Sequence, residues 1–207
     1  MSRRLPIYLL IDASTSMRGE KIAEVEKGIR ILVESLQRDP MALETAYISV
    51  ITFATEVKQI EPLTDLFHFS IPELTAGGKT YLGRALTFVK ECADKEVRKN
   101  TPTKKGDWNP LVFILADGGS TDAIVRAAKT FNQRKWGNVI ACAIGDGAHV
   151  DQLAKITPTV LRIQDTSGAA LSEFFRWVSS SVSVASASVG TGTAEKLPPV
   201  PKEITII

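Results

Sequence analysis

Cysteine, histidine and blocks of like charge are all scarce in this chain. Its 207 residues include two cysteines, Cys92 and Cys142, with no CxxC spacing. That excludes a disulfide framework and leaves zinc or redox chemistry without a thiolate pair, so both read as buried free thiols of a reducing compartment. The histidines, His68 and His149, stand apart from any serine or cysteine nucleophile motif and read as surface or helix-end residues. No stretch approaches the roughly 20 apolar residues that span a bilayer. Met1-Ser2-Arg3-Arg4 leads into a short apolar run with no small-residue cleavage site after it, so no signal peptide is expected. Lys and Arg number 25 against 23 Asp and Glu, a net charge of +2, and no block of like charge marks a nucleic-acid or membrane surface. The expectation is a cytoplasmic protein with neither nucleic acid nor membrane as partner.

What is present is ordinary globular composition, 44% hydrophobic and 23% charged, over a length suited to one domain and an extension. Pro6 to Ile11 and Leu111 to Leu115 are continuous apolar runs, as strands buried on both faces should be, and an aspartate follows each, Asp12 directly and Asp117 after Ala116. Ile22, Val25, Ile29, Leu32, Val33 and Leu36 fall at helical spacing, and Asp39-Pro40 reads as that helix's stop. Ala46 to Phe53 is a second strand with a hairpin partner at Val57 to Ile60. Helices are expected at about 82–97, 122–135, 150–156 and 169–182, with strands at Val139 to Ile144 and Val160 to Ile163. Such alternation means an α/β fold: a doubly wound, mostly parallel sheet with one antiparallel edge strand. Residues 1–182 read as the domain. Residues 183–207, rich in Ser, Ala, Gly and Thr and then Pro, read as a flexible or partner-binding tail.

Ligands of open parallel sheets bind at the carboxyl ends of the strands. Three segments put small oxygen-bearing side chains there: Asp12-Ala13-Ser14-Thr15-Ser16, Gly78-Lys79-Thr80 and Asp117-Gly118-Gly119. Hydroxyls and carboxylates without a nearby imidazole or thiolate suit a hard divalent cation, Mg²⁺ or Mn²⁺. Taken singly, Ser14, Thr15 and Ser16 read equally well as helix caps. Gly78-Lys79-Thr80 resembles the end of a phosphate-binding loop, but that motif needs glycine where Glu73 stands. An aspartyl-phosphate mechanism with Asp12 as nucleophile is the enzymatic alternative, although it would use a second aspartate where Ser14 lies. Gly145-Asp146-Gly147 reads as a turn.

The DxSxS of Asp12 to Ser16, the segment Gly78 to Leu86 and the pair Asp117-Gly118 together resemble the metal-ion-dependent adhesion site of von Willebrand factor A domains. The resemblance covers about residues 4 to 182 and implies that family's Rossmann-like fold. It implies a metal site formed by Asp12, Ser14, Ser16, Thr80 and Asp117, with the serines and Thr80 as direct ligands, Asp117 acting through water, and a partner's Asp or Glu completing the shell. Ala116 stands where the family often has threonine. Arg4 to Asp12, Glu44 to Phe53 and Gly106 to Phe113 look closer still to the bacterial TerY-like branch of tellurite-resistance and stress operons. That branch implies a non-enzymatic scaffold or a phosphorylation substrate, whose partners are a Ser/Thr protein kinase and a PP2C-type phosphatase.

Overall fold

The computed structural model describes residues 3–117, 119–145, 147–164, 168–188 and 197–207. Strand β1 (Leu5–Asp12) is buried along its whole length, as its unbroken apolar run requires. Parallel strands flank it on both sides, β2 (Ala46–Phe53) on one and β4 (Leu111–Ala116) on the other. β3 (Val57–Asp65) returns antiparallel on β2, while β5 (Val139–Ile144) and β6 (Val160–Ile163) extend the parallel sheet beyond β4. β7 (Ile204–Ile206) closes the far edge antiparallel to β6, giving the order β3-β2-β1-β4-β5-β6-β7.

Because successive strand residues face opposite ways, Ile7, Leu9 and Ile11 enter one core, and Tyr8 and Leu10 the other. The first core lies under α1 (Glu20–Gln37), α2 (Pro40–Thr45) and α6 (Gly168–Ser188). The second lies under α3 (Leu82–Glu96), α4 (Ile124–Phe131) and α5 (Val150–Leu153). Both cysteines are free and buried within these cores.

α1 and α6 approach each other closely at Gly28 of α1. A β-carbon there would overlap the ring of the fully buried Phe175 on α6. Alanine's better helix propensity, worth about 1 kcal/mol, is outweighed by overpacking of about 1–3 kcal/mol. Gly28→Ala is therefore expected to lower the thermal midpoint by several degrees, about 2–4 °C per kcal/mol, in a melt followed by circular dichroism. An unchanged or higher midpoint would mean that Phe175 moves aside freely.

Some elements depart from the sequence reading. Asp39-Pro40 does end α1, but it also starts α2: the Asp39 carboxylate accepts from the Met41 and Ala42 amides, and Pro40 takes the first helical position, where no amide is missed. Residue 182, the boundary read from composition, falls inside α6, which runs to Ser188 with Ala185 and Ser186 buried. Residues 197–207 lie on the body. Trp177 Nε1 donates to the Pro198 carbonyl at 3.1 Å, Leu197 and Val200 pack on the first core, and β7 gives the sheet a second antiparallel edge. Residues 189–196 of the expected tail lie outside the described residues.

From β1 the chain crosses to β2 on one side and later returns through β4 on the other, so winding reverses between β1 and β4. That is where an open α/β sheet leaves a crevice at its carboxyl end. Ile11 pairs with Leu115 in register, which brings Asp12 and Asp117 to the same end of adjacent strands.

Candidate metal centre

Asp12 ends β1 with its side chain fully buried. Its Oδ1 accepts from the Ser14 amide at 2.8 Å, while its buried Oδ2 has no hydrogen-bond partner among the described residues. An ionised oxygen without a partner is expensive in a dry site. Burial accordingly pushes the Asp12 carboxyl up to about 6; the neighbouring Asp117 carboxylate adds to the rise, and hydrogen bonds from Ser14 oppose it.

Ser14 and Ser16 share a hydroxyl hydrogen bond at 2.9 Å, and Ser16 Oγ donates onward to Asp117 Oδ1 at 2.6 Å. Neither hydroxyl caps a helix. Ser14 precedes the short 3₁₀ turn Thr15–Met17 in extended conformation without a capping bond, and α1 begins instead after Gly19, whose φ of 79° suits glycine. Thr15 turns the other way, its hydroxyl bonding both the carbonyl and the amide of Gly78.

The segment carrying Thr80 is clamped on both sides. Towards β1, the Gly77 amide donates to the Ala13 carbonyl and the Thr15 amide to that of Gly78. Towards β4, the Thr80 carbonyl accepts from the Thr121 amide and hydroxyl, both at 2.8 Å. The Thr80 residue is 7% exposed, and among the described residues its hydroxyl makes no hydrogen bond. Asp12, Ser14, Ser16 and Asp117 thus form one linked set with Thr80 fixed beside it. Gly118 lies outside the described residues, as does Asp146 of the expected turn.

Three further residues shape the site and escaped the sequence reading. Asp122, read there as the start of a helix, lies before α4 and together with Ser120 caps α3 from another loop: Asp122 accepts from the Gly83 and Arg84 amides at 2.9 and 2.8 Å, and Ser120 Oγ accepts from the Leu82 amide. α3 has no cap of its own, since Tyr81 at its start makes no side-chain bond. Lys21 on α1 donates to Asp117 Oδ2 at 2.6 Å. Its one signal in the sequence is a cation in a first helical turn, where the helix dipole disfavours it. His68 pairs with Asp65 at the surface and His149 begins α5, so neither enters the site.

Asp122→Ala should cost about 1–2 kcal/mol of stability, as loss of a helix cap does. Because Asp122 also holds Ser120, whose hydroxyl lies 3.4 Å from the Thr80 carbonyl, the variant should also loosen the threonine segment. Urea denaturation and amide exchange at residues 80–84 check both; native protection there would mean that α3 needs no outside cap.

The donor set suits a divalent cation. It consists of two strand-end carboxylates, of which Asp12 leaves one buried oxygen without a partner among the described residues, and three hydroxyls. Among the described residues no three His, Cys, Asp or Glu side chains gather as a metal cluster, here or elsewhere, so the case for a cation rests on two carboxylates joined with hydroxyls.

An open, mainly parallel sheet with a carboxylate and hydroxyl cluster at its switch point defines a class, the Rossmann-like α/β domains whose crevice lies at the strands' carboxyl end. The chain belongs within it to the von Willebrand factor type A domain family, whose family model matches residues 7–176. A search of the curated proteins finds no match. Among solved structures, the von Willebrand factor type A protein from Catenulispora acidiphila superposes with a TM-score of 0.67 at 20% identity, over 88% of this chain and 43% of that one. Proximal thread matrix protein 1 from the mussel byssus, with zinc in its metal-ion-dependent adhesion site, gives 0.63 at 21% identity, over 86% and 48%. BatB from Bacteroides thetaiotaomicron gives 0.57 at 16% identity, over 84% and 97%. The chain therefore spans less than half the length of the first two, and at these identities the likeness is one of fold. No described helix is long and apolar enough to cross a membrane.

Proposed function

We propose that this chain is a divalent-cation-dependent protein-interaction module whose site is Asp12, Ser14, Ser16, Thr80 and Asp117. The observation that carries this reading is the unpartnered Oδ2 of the buried Asp12 beside hydroxyls that cap no helix. Asp12 and Asp117 would balance the charge of the ion, and Ser14, Ser16 and Thr80 would hold it through neutral oxygens. Such all-oxygen donors favour Mg²⁺ or Mn²⁺, and the mussel relative carries zinc in the corresponding motif. When bound, the cation supplies an electrophilic position for a carboxylate of the partner. Binding rather than catalysis is the role that fits Asp12: it is fully buried, a poor position for a nucleophile, and Ser14 occupies the place of a second catalytic aspartate. No turnover of p-nitrophenyl phosphate is expected.

The resemblance of residues 4–12, 44–53 and 106–113 to TerY-like proteins supports a narrower setting, a cytoplasmic bacterial stress-response system. There the partners would be a Ser/Thr kinase and a PP2C-type phosphatase. Thr15 and Ser16 are exposed at the mouth of the site. A phosphate on either would add about −1.5 to −2 charge beside the cation, enough to alter partner binding.

The test is partner affinity, measured against the candidate kinase and phosphatase with and without EDTA, for wild type and Thr80→Ala. Binding should vanish on chelation and in the variant while the fold persists, because Thr80 lies in a strand-end loop. Equal affinity in all arms would contradict a metal bridge.

A further inference from the structure

We propose that Lys21 is a tethered cation that holds Asp117 while the site is metal-free and must release it when a metal enters, so that it sets the cation concentration at which the site loads. This rests on the metal-site reading above and concerns its regulation.

The two carboxylates of the site are treated differently. Both oxygens of Asp117 are taken, Oδ1 by the Ser16 hydroxyl and Oδ2 by the Lys21 ammonium, each at 2.6 Å, whereas Asp12 Oδ2 has no partner among the described residues. The Asp117 side chain is 1% exposed and that of Lys21 31%, so the pair is dry at the carboxylate and wet along the lysine stem. Lys21 also sits in the first turn of the 18-residue α1, where the positive end of the helix dipole repels an ammonium. Its attraction to Asp117 works against that repulsion.

A divalent ion approaching Asp117 meets a positive charge already there. It gains the carboxylate only as the ammonium withdraws, which a flexible four-carbon stem reaching water permits. A purely structural ion pair would leave cation affinity unmoved.

The experiment is calorimetric titration of Mn²⁺ and of Mg²⁺ into EDTA-treated wild type, Lys21→Met and Lys21→Arg at one ionic strength. It is joined by mass-spectrometric measurement of Lys21 reductive methylation in wild type with and without Mn²⁺. Lys21→Met should bind the metal about tenfold more tightly, the scale of one close charge at a partly exposed site. Lys21→Arg, which keeps the charge, should stay near wild type, and Mn²⁺ should speed methylation of Lys21. Equal or weaker binding by Lys21→Met, or methylation indifferent to Mn²⁺, while wild type still binds, overturns the proposal and leaves the metal site standing. Absence of binding in every protein overturns both. Because the methylation arm uses wild type, the test survives even if Lys21→Met fails to fold.

Discussion

Asp12→Asn is expected to stabilise the metal-free protein near neutral pH while abolishing its cation binding. In the folded chain the Asp12 carboxyl is pushed up to about 6 from an ordinary 3.8, chiefly by burial. The folded state therefore holds its proton more tightly than the unfolded state. As pH rises from about 4 to about 6 the unfolded chain ionises first, so this group's contribution to stability declines through that window and then levels off. A difference of about two pH units corresponds to about 3 kcal/mol, an upper bound because water and local relaxation soften the penalty. Asparagine keeps an oxygen for the Ser14 amide and carries no charge to bury. Urea denaturation of EDTA-treated wild type and variant, near pH 5 and near pH 8, isolates the effect by difference: the variant should gain on wild type at the higher pH. A variant less stable than wild type near pH 8 would mean that ionised Asp12 is already well compensated. Added Mg²⁺ or Mn²⁺ should reverse the order, since a ligand that binds only the folded state stabilises it in proportion to the logarithm of its concentration, and only wild type should respond.

The second large effect is on cation affinity. A proton and a metal compete for the same Asp12 oxygen, and the proton gains ground below the raised pKa of about 6. Affinity should be nearly flat between about pH 8 and 7 and then weaken by up to about tenfold per unit below about pH 6. Titrating Mn²⁺ into wild type across that range checks it. Affinity unchanged down to about pH 5 would show that Asp12 is not among the groups holding the ion.

Much of this was legible in the chain because it rests on local patterns. The apolar runs ending near Asp12 and Asp117 fixed two adjacent central strands, and the spacing from Ile22 to Leu36 identified α1 together with the face it buries. The alternation of Asp12, Ser14 and Ser16 marked a loop able to aim several oxygens at one point. What escaped depends on residues distant in sequence. Asp122 caps a helix that begins 40 residues earlier, which no capping motif within α3 could reveal. Lys21 reaches Asp117 across 96 positions. Asp39-Pro40 was half legible: the same pair that stops one helix can start the next, and only the amides of Met41 and Ala42 distinguish the two. The Ser- and Ala-rich stretch after 182 resembles a linker in composition, yet small residues also suit a helix packed closely on its neighbour, as Ala185 and Ser186 are.

The central claim is that the strand-end hydroxyls and carboxylates hold a divalent cation. Its most direct test is calorimetric titration of Mg²⁺ and Mn²⁺ into EDTA-treated wild type and the Ser14→Ala/Ser16→Ala double variant. The account predicts saturable one-site binding by wild type and its loss in a variant that remains folded. Undiminished binding by the variant, or none by wild type even with a candidate partner present, would contradict it.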